Sequence, residues 1–269
     1  MPDRPAIGNA GELPPENRWE RERSTPTMIT MTATDRRPRL AVLTGAGVSA
    51  PSGLPVYRGG DGMWDRDPDL AKTLTAAHWR GRAEQAWNHW SDLRQAASAA
   101  LPNPAHEALV FAEAHFDVHI ATQNIDGLHT RAGSSDITEL HGNVFFTRCS
   151  GRACHARHGA WFDDALHETP PACPYCGRVA RLDIVLFGEH LAAAKMRASV
   201  EAARGADVWM AVGTSGTVFP AAGLADFCEP GTLRVLVNAQ PWSTSAFDRE
   251  VLGDAAAVLG DVLHDLTRR

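Results

Sequence analysis

Four of the five cysteines fall in two close pairs: Cys149 and Cys154 with four residues between them, Cys173 and Cys176 with two. Thiolates at such spacing suit tetrahedral zinc, each pair closing a short knuckle, and a closed four-sulfur shell leaves no position for a catalytic water. The expectation is a structural zinc in a reducing compartment, not a disulfide framework. The first gap is wider than the commonest one, so His155 or His158 could stand in for Cys154; Cys228 stands alone and reads as a buried thiol. A second chemistry-bearing segment is Gly45-Ala46-Gly47-Val48-Ser49, directly after an apolar run. Small residues at a strand-to-helix turn let the backbone approach a pyrophosphate at a helix N-terminus, although such turns also use glycine for steric reasons alone. Any of the 12 histidines offers a base titrating near neutrality, and composition singles out none of them.

These residues need elements to position them. The runs Leu40–Thr44, Val118–Thr122, Asp183–Phe187, Val208–Val212 and Leu233–Val237 read as buried parallel strands, with helical patterns over 104–114 and 191–204 between them. The alternation predicts an α/β fold, a Rossmann-like doubly wound parallel sheet. A Trp-rich helical stretch over about 63–100 and a Cys-rich stretch over about 145–181 interrupt it and predict a smaller inserted zinc-binding and helical lobe. Residues 38–267 then form one catalytic domain of two lobes. Residues 1–37, rich in Pro, Glu, Arg, Ser and Thr without apolar periodicity, read as a disordered leader in which Met28 and Met31 are alternative starts. The net charge of -6 argues against a footprint for nucleic acid or anionic membrane. With no apolar run near the roughly 18 to 20 residues that span a bilayer and no secretory signal, the expected location is cytoplasmic.

The glycine turn continues as Ala50-Pro51-Ser52-Gly53-Leu54-Pro55-Val56-Tyr57-Arg58. Gln123-Asn124-Ile125-Asp126 follows the second strand, and Glu139-Leu140-His141-Gly142 the next apolar segment. Gly213-Thr214-Ser215, Pro220-Ala221-Ala222, Leu236-Val237-Asn238 and Gly253-Asp254-Ala255 come after them. With these motifs in this order the chain resembles the sirtuin family over about residues 38–267.

The resemblance implies NAD-dependent removal of acyl groups from protein lysine. The amide oxygen attacks the nicotinamide ribose, and nicotinamide, O-acyl-ADP-ribose and free lysine are the products. It implies NAD and zinc as cofactors, acylated-lysine proteins or peptides as partners, and no direct nucleic acid or membrane partner. His141 would be the base for a ribose hydroxyl, a task its ordinary pKa suits. Asn124 would orient the ribose and Asp126 hydrogen-bond the nicotinamide carboxamide. Gly45, Gly47 and Ser49 would form the phosphate turn, and Ala46, Tyr57 and Ile125 would line the nicotinamide region with Arg58 and Gln123 as polar partners. Tyr57 stands where Phe is usual and keeps an aromatic cover. Gly213, Thr214 and Ser215 would face phosphate, Asn238 the adenosine ribose and Ala255 the adenine. Val185, Phe187, Gly188 and Glu189 would pair with the substrate main chain, which makes little demand on its sequence.

Family members that remove succinyl or malonyl groups carry a tyrosine and an arginine three residues apart in the helical part of the small lobe. The best-matching positions here are Trp87 and Trp90. Burying a carboxylate there without a cation would cost several kcal/mol, and about 1.4 kcal/mol is tenfold in selectivity, so a neutral acyl group, acetyl or longer, is expected. Arg80, Arg82 and Arg94 are alternative sources of the cation, and the spacing of the tryptophans also fits helix packing. A protein ADP-ribosyltransferase or NAD glycohydrolase on the same scaffold is the rival reading; the presence of both Asn124 and His141 favours deacylation.

Overall fold

The computed structural model describes residues 36–56, 66–242 and 247–268, so residues 1–35 of the leader, Tyr57, Arg58 and residues 63–65 of the Trp-rich stretch lie outside it. Six strands, β1 (Arg39–Thr44), β2 (Asp117–Thr122), β3 (Ile137–Glu139), β7 (Val208–Val212), β8 (Leu233–Asn238) and β9 (Arg249–Leu252), form one sheet in the order β3-β2-β1-β7-β8-β9. Every pairing in it is parallel. The runs of β1 and β7 are continuously apolar because both faces of these central strands are covered. On one face α4 (Pro104–Ala112) and α8 (Ala255–Thr267) pack Leu109, Leu259 and Leu263 against Leu40, Val42 and Ile120. On the other, α7 (Ala193–Gly205) and the 3-10 helix Ala221–Phe227 bring Ala203 and Leu224 against Ala41, Leu43 and Trp209. The strand order reverses between β1 and β7, so the crevice beyond their carboxyl ends is the topological switch point of the sheet.

A second, antiparallel sheet has the order β5-β4-β6, with β4 (Gly142–Cys149), β5 (Ala160–Phe162) and β6 (Ala180–Ile184). Two short helices, α2 (Pro68–Thr73) and α6 (Arg152–His158), and the 17-residue α3 (Ala83–Ala99) accompany it. Trp79, Trp87 and Trp90 share one core with Val144, Leu182, Ile184 and Leu186, so the two interrupting segments pack on each other.

This corrects one expectation. Asp183–Phe187 is not a strand of the parallel sheet; the strand is Ala180–Ile184, it pairs with β4, and residues 185–187 run on beyond it. The apolar run is buried on alternate residues, Ile184 and Leu186 inward and Phe187 outward, which is a one-faced edge and not a central strand. Among the described residues no helix is long and apolar enough to cross a membrane.

Candidate active site and metal centre

At the switch point two glycine turns meet back to back. The Gly45 amide donates to the carbonyl of Val212 (3.1 Å) and that of Gly47 to Gly213 (2.8 Å), as α1 (Ala46–Ser49) begins. A Cβ on Gly47 would lie 2.8 Å from the Cα of Gly213, and one on Gly213, whose φ is +59°, 2.5 Å from the nitrogen of Val48. Glycine is therefore required here by packing as well as by any ligand. The Thr214 hydroxyl accepts from Gln123 Nε2 (2.8 Å) and its carbonyl from Trp242 Nε1 (2.6 Å), whereas the exposed Ser215 hydroxyl shares a hydrogen bond with Thr217. Asn238 donates through Nδ2 to the Gln240 carbonyl, and its own carbonyl accepts from Gly253, which brings the end of β8 to the start of α8. Ala255 is buried in the core under that helix.

Ala46, Ser49, Asn124, Ile125 and Asp126 converge on one narrow pocket. Asn124 Nδ2 donates to the Gly45 carbonyl and to Ser49 Oγ, both at 3.0 Å, which fixes the amide across the glycine turn. Asp126 accepts from the amide of Leu128 (2.9 Å) at the start of α5 (Leu128–Ala132). Burial pushes its carboxyl above the ordinary range, opposed by the hydrogen bonds from Leu128 and Ser49.

The remaining walls, Leu54, Pro55, Leu93, Ala97 and Val144, were not singled out from the sequence. Leu93 and Ala97, four apart on one face of α3, form a weak helical signal that the neighbouring tryptophans mask. Trp87 and Trp90 do not reach the pocket wall: both are fully buried, their rings meet edge-on at 5.4 Å, and Trp87 Nε1 donates to the Ala180 carbonyl. The wall residues of α3 are Leu93 and Ala97, the first of them three positions after Trp90, so the expected pair lies one helical turn earlier than the wall. All three candidate arginines are engaged elsewhere. Arg94, buried to 1% exposure, donates to the carbonyls of Val144 and Ala165 and to Thr147, beside Asp163. Arg80 reaches the Ser150 carbonyl, and Arg82 reaches Asp69 and Thr73.

His141 sits in the turn between β3 and β4. Leu140 donates to the Thr122 carbonyl (2.9 Å) and the His141 carbonyl accepts from Val185 (2.8 Å), so the turn is tied to both sheets. Gly142 has φ +85°, and a Cβ there would fall 1.9 Å from the Asp183 carbonyl oxygen. His141 Nδ1 lies 2.9 Å from the Gln123 carbonyl oxygen. That oxygen can only accept, so Nδ1 carries the hydrogen and Nε2 keeps its lone pair. Burial pushes the His141 pKa down, the Gln123 hydrogen bond opposes this, and the charge of Lys195 adds to it.

Beyond Val185, the Phe187 carbonyl accepts from Ala76 (2.9 Å) and Gly188 adopts φ +82°. The Glu189 carboxylate holds Arg181 through two contacts of 2.9 and 2.8 Å and also accepts from the Leu186 amide. The Glu189 carboxylate thus closes this loop from within.

The four cysteine sulfurs lie within 4.8 Å of one another, with Cys149 and Cys176 3.4 Å apart and Cys154 and Cys173 3.7 Å apart. A tetrahedral shell with Zn–S near 2.3 Å requires S···S separations of about 3.8 Å, so the donor set fits zinc. The wide first gap is a turn of chain: Gly151 donates to Cys149 Sγ and starts α6, whose first turn brings Cys154 inward. His158 stacks on Tyr175 at 4.0 Å, and the ligand atoms that gather are the four sulfurs, with neither His155 nor His158 among them, which favours Cys154.

Similarity to known proteins agrees with this geometry. The model of the Sir2 family matches residues 45–220. An NAD-dependent protein deacylase of Mycobacterium tuberculosis is 41% identical over 215 residues, 76% of this chain and 86% of that protein. Among solved structures, a Sir2 homologue in complex with NAD superposes with a TM-score of 0.72 at 33% identity, over 85% of this chain and 88% of that one. A complex of Sir2 with a p53 peptide and NAD+ gives a TM-score of 0.70 at 27% identity, over 87% and 96%. With a family match over more than half its length and relatives this similar along most of theirs, the chain belongs to the Sir2 family.

Proposed function

We propose that this protein is an NAD-dependent protein-lysine deacylase in which residues 38–267 are the catalytic domain, acting on acylated proteins or peptides in the cytoplasm and preferring a neutral acyl group. The observation that carries the reading is the contact of His141 Nδ1 with the carbonyl of Gln123, the residue before Asn124: with Nδ1–H spent there, Nε2 of the neutral ring is an acceptor in a part-buried turn. NAD, when bound, supplies the ribose carbon that the amide oxygen attacks as nicotinamide leaves.

His141 then accepts a proton from a ribose hydroxyl at Nε2. Asn124, pinned to Gly45 and Ser49, orients that ribose, and Asp126 meets the carboxamide of nicotinamide. Gly45, Gly47, Gly213, Thr214 and Ser215 would border the pyrophosphate, Asn238 and Ala255 the adenosine end, and Gln123 the nicotinamide side. The segment Val185–Glu189 offers main-chain groups to the substrate peptide. Zinc, held by Cys149, Cys154, Cys173 and Cys176, is structural because four thiolates fill its shell. The preference for a neutral acyl group rests on Leu93 at the wall and on the commitments of Arg80, Arg82 and Arg94 elsewhere.

The test is incubation with NAD and matched acetyl-, longer-acyl- and succinyl-lysine peptides, following peptide mass and nicotinamide release. Deacylation of the neutral peptides should fall at least about a hundredfold in His141→Ala, in line with loss of a general base, and Leu93→Arg should shift preference toward succinyl. Nicotinamide release with every peptide unchanged would instead support a transferase or glycohydrolase.

A further inference from the structure

The turn that carries His141 is held from outside the pocket by a cation. Lys195 lies in the first turn of α7, a place where the helix dipole favours acidic side chains and where none stands here. Its Nζ donates to the Glu139 carbonyl at 2.6 Å, and the Glu139 carboxylate accepts from Asn143 Nδ2 at 2.6 Å. The turn is thus clamped through main chain and side chain on both sides of His141. Lys195, Glu139 and Asn143 line one open cleft together with Thr130, Thr138 and Phe146.

We propose that Lys195 is a positioning residue for His141, fixing the main chain of its turn and setting the charge that the imidazole meets when it takes up a proton. The inference rests on His141 being the base. Among the described residues the charge that acts on the imidazole is that of Lys195 of α7, while Glu139 of β3 meets Lys195, Asp126 after β2 and Asp183 of β6. Burial pushes the carboxyls of Asp126 and Glu139 upward, toward the neutral form. Asp183 is turned toward Arg148 at 3.6 Å. The Lys195 ammonium acts on His141 in the direction that keeps the imidazole neutral and able to accept a proton.

The experiment is the pH profile of kcat/KM for wild type, Lys195→Met and Lys195→Arg, with melting temperature as a control and His141→Ala alongside. Removing the charge raises the pKa of the base, so the acid limb of Lys195→Met should move to higher pH by about half a unit to one unit, the scale of one partly screened charge. At a pH below both limbs this is about a three- to tenfold loss. Lys195→Arg keeps both charge and donor and should restore the limb, which a purely structural role would not predict independently of melting temperature. A histidine NMR titration, with the His141 signal identified by its absence in His141→Ala, should show the same displacement without turnover. Coincident limbs and titrations for wild type and Lys195→Met would overturn the proposal. Full activity in His141→Ala would overturn the assignment of the base instead, and the titration would still judge Lys195.

Discussion

The two sheets stay folded by different means. The parallel sheet is covered on both faces, and its central strands bury Leu40, Val42, Leu43 and the whole of β7 between helices. The antiparallel sheet has three strands of eight, three and five residues, one tryptophan-rich core, and four cysteines that gather at the end of β4. Burial at about 25 cal/mol per Å² suffices for the first, while the second leans on a metal, whose binding free energy is folding free energy for a small unit. Chelating zinc under reducing conditions, or Cys173→Ser, is therefore the most damaging perturbation expected. Hydrogen-exchange protection of β4 and β6 should collapse and activity should vanish, because β4 supplies Val144 to the pocket wall and the backbone of Gly142 beside His141. Protection in β1 and β7 should persist. Simultaneous loss of both sheets would break the distinction.

Acid probes the parallel side instead. His106 and His129 are buried there, with ring centroids 4.8 Å apart, and His129 Nε2 meets Thr44 Oγ1 at 3.0 Å. Burial pushes His106 down to about 4 and His129 to about 3, the second also through His106. Unfolded, both titrate near 6.5, so as the pH falls the unfolded chain binds protons first. Their neutral burial is fully compatible with folding above about pH 7, and stability declines below it by up to about 1.4 kcal/mol per pH unit for each histidine. Asp126 and Glu139, with raised carboxyls, partly offset this at lower pH. With zinc saturating, denaturant titrations between pH 6.5 and 5 should show a steep dependence in wild type and a shallower one in His129→Gln, whose amide reaches Thr44 as Nε2 does. Equal slopes would remove the buried pair from the account.

The same contrast explains what could be read from the sequence. β1, β2, β7 and β8 were legible because strands covered on two faces leave unbroken apolar runs, and the glycines of 45–47 and 213 because close backbone approach admits nothing else. β3 and β9 are edge strands of three and four residues with mixed burial, too short to carry a period. The segment 183–187 looked like a central strand because composition reports burial and not the partner, which is set here by antiparallel pairing with β4. The cysteine set was fully legible, since metal-ligand spacing is local. The pocket wall was not: Leu93, Ala97 and Val144 come together only when α3 lies over β4, and the tryptophans beside them suggested a role that belongs to packing.

Those tryptophans give the smallest and most discriminating expectation within the small lobe. Trp87 and Trp90 are both fully buried, three residues apart on α3, and lose similar volume on substitution by phenylalanine. Trp87 Nε1 donates to the Ala180 carbonyl at 2.9 Å, whereas Trp90 Nε1 has no hydrogen-bond partner among the described residues. Trp87→Phe leaves a buried carbonyl at the start of β6 without that donor, a loss of about 1–3 kcal/mol beyond packing, while Trp90→Phe removes a buried donor that was already unsatisfied. Chemical denaturation with zinc bound should therefore rank Trp87→Phe as the more destabilised variant by at least about 1 kcal/mol. Its acyl preference should remain that of wild type, because neither ring lines the pocket. A change of acyl preference in either variant at unchanged stability would return these side chains to the acyl channel.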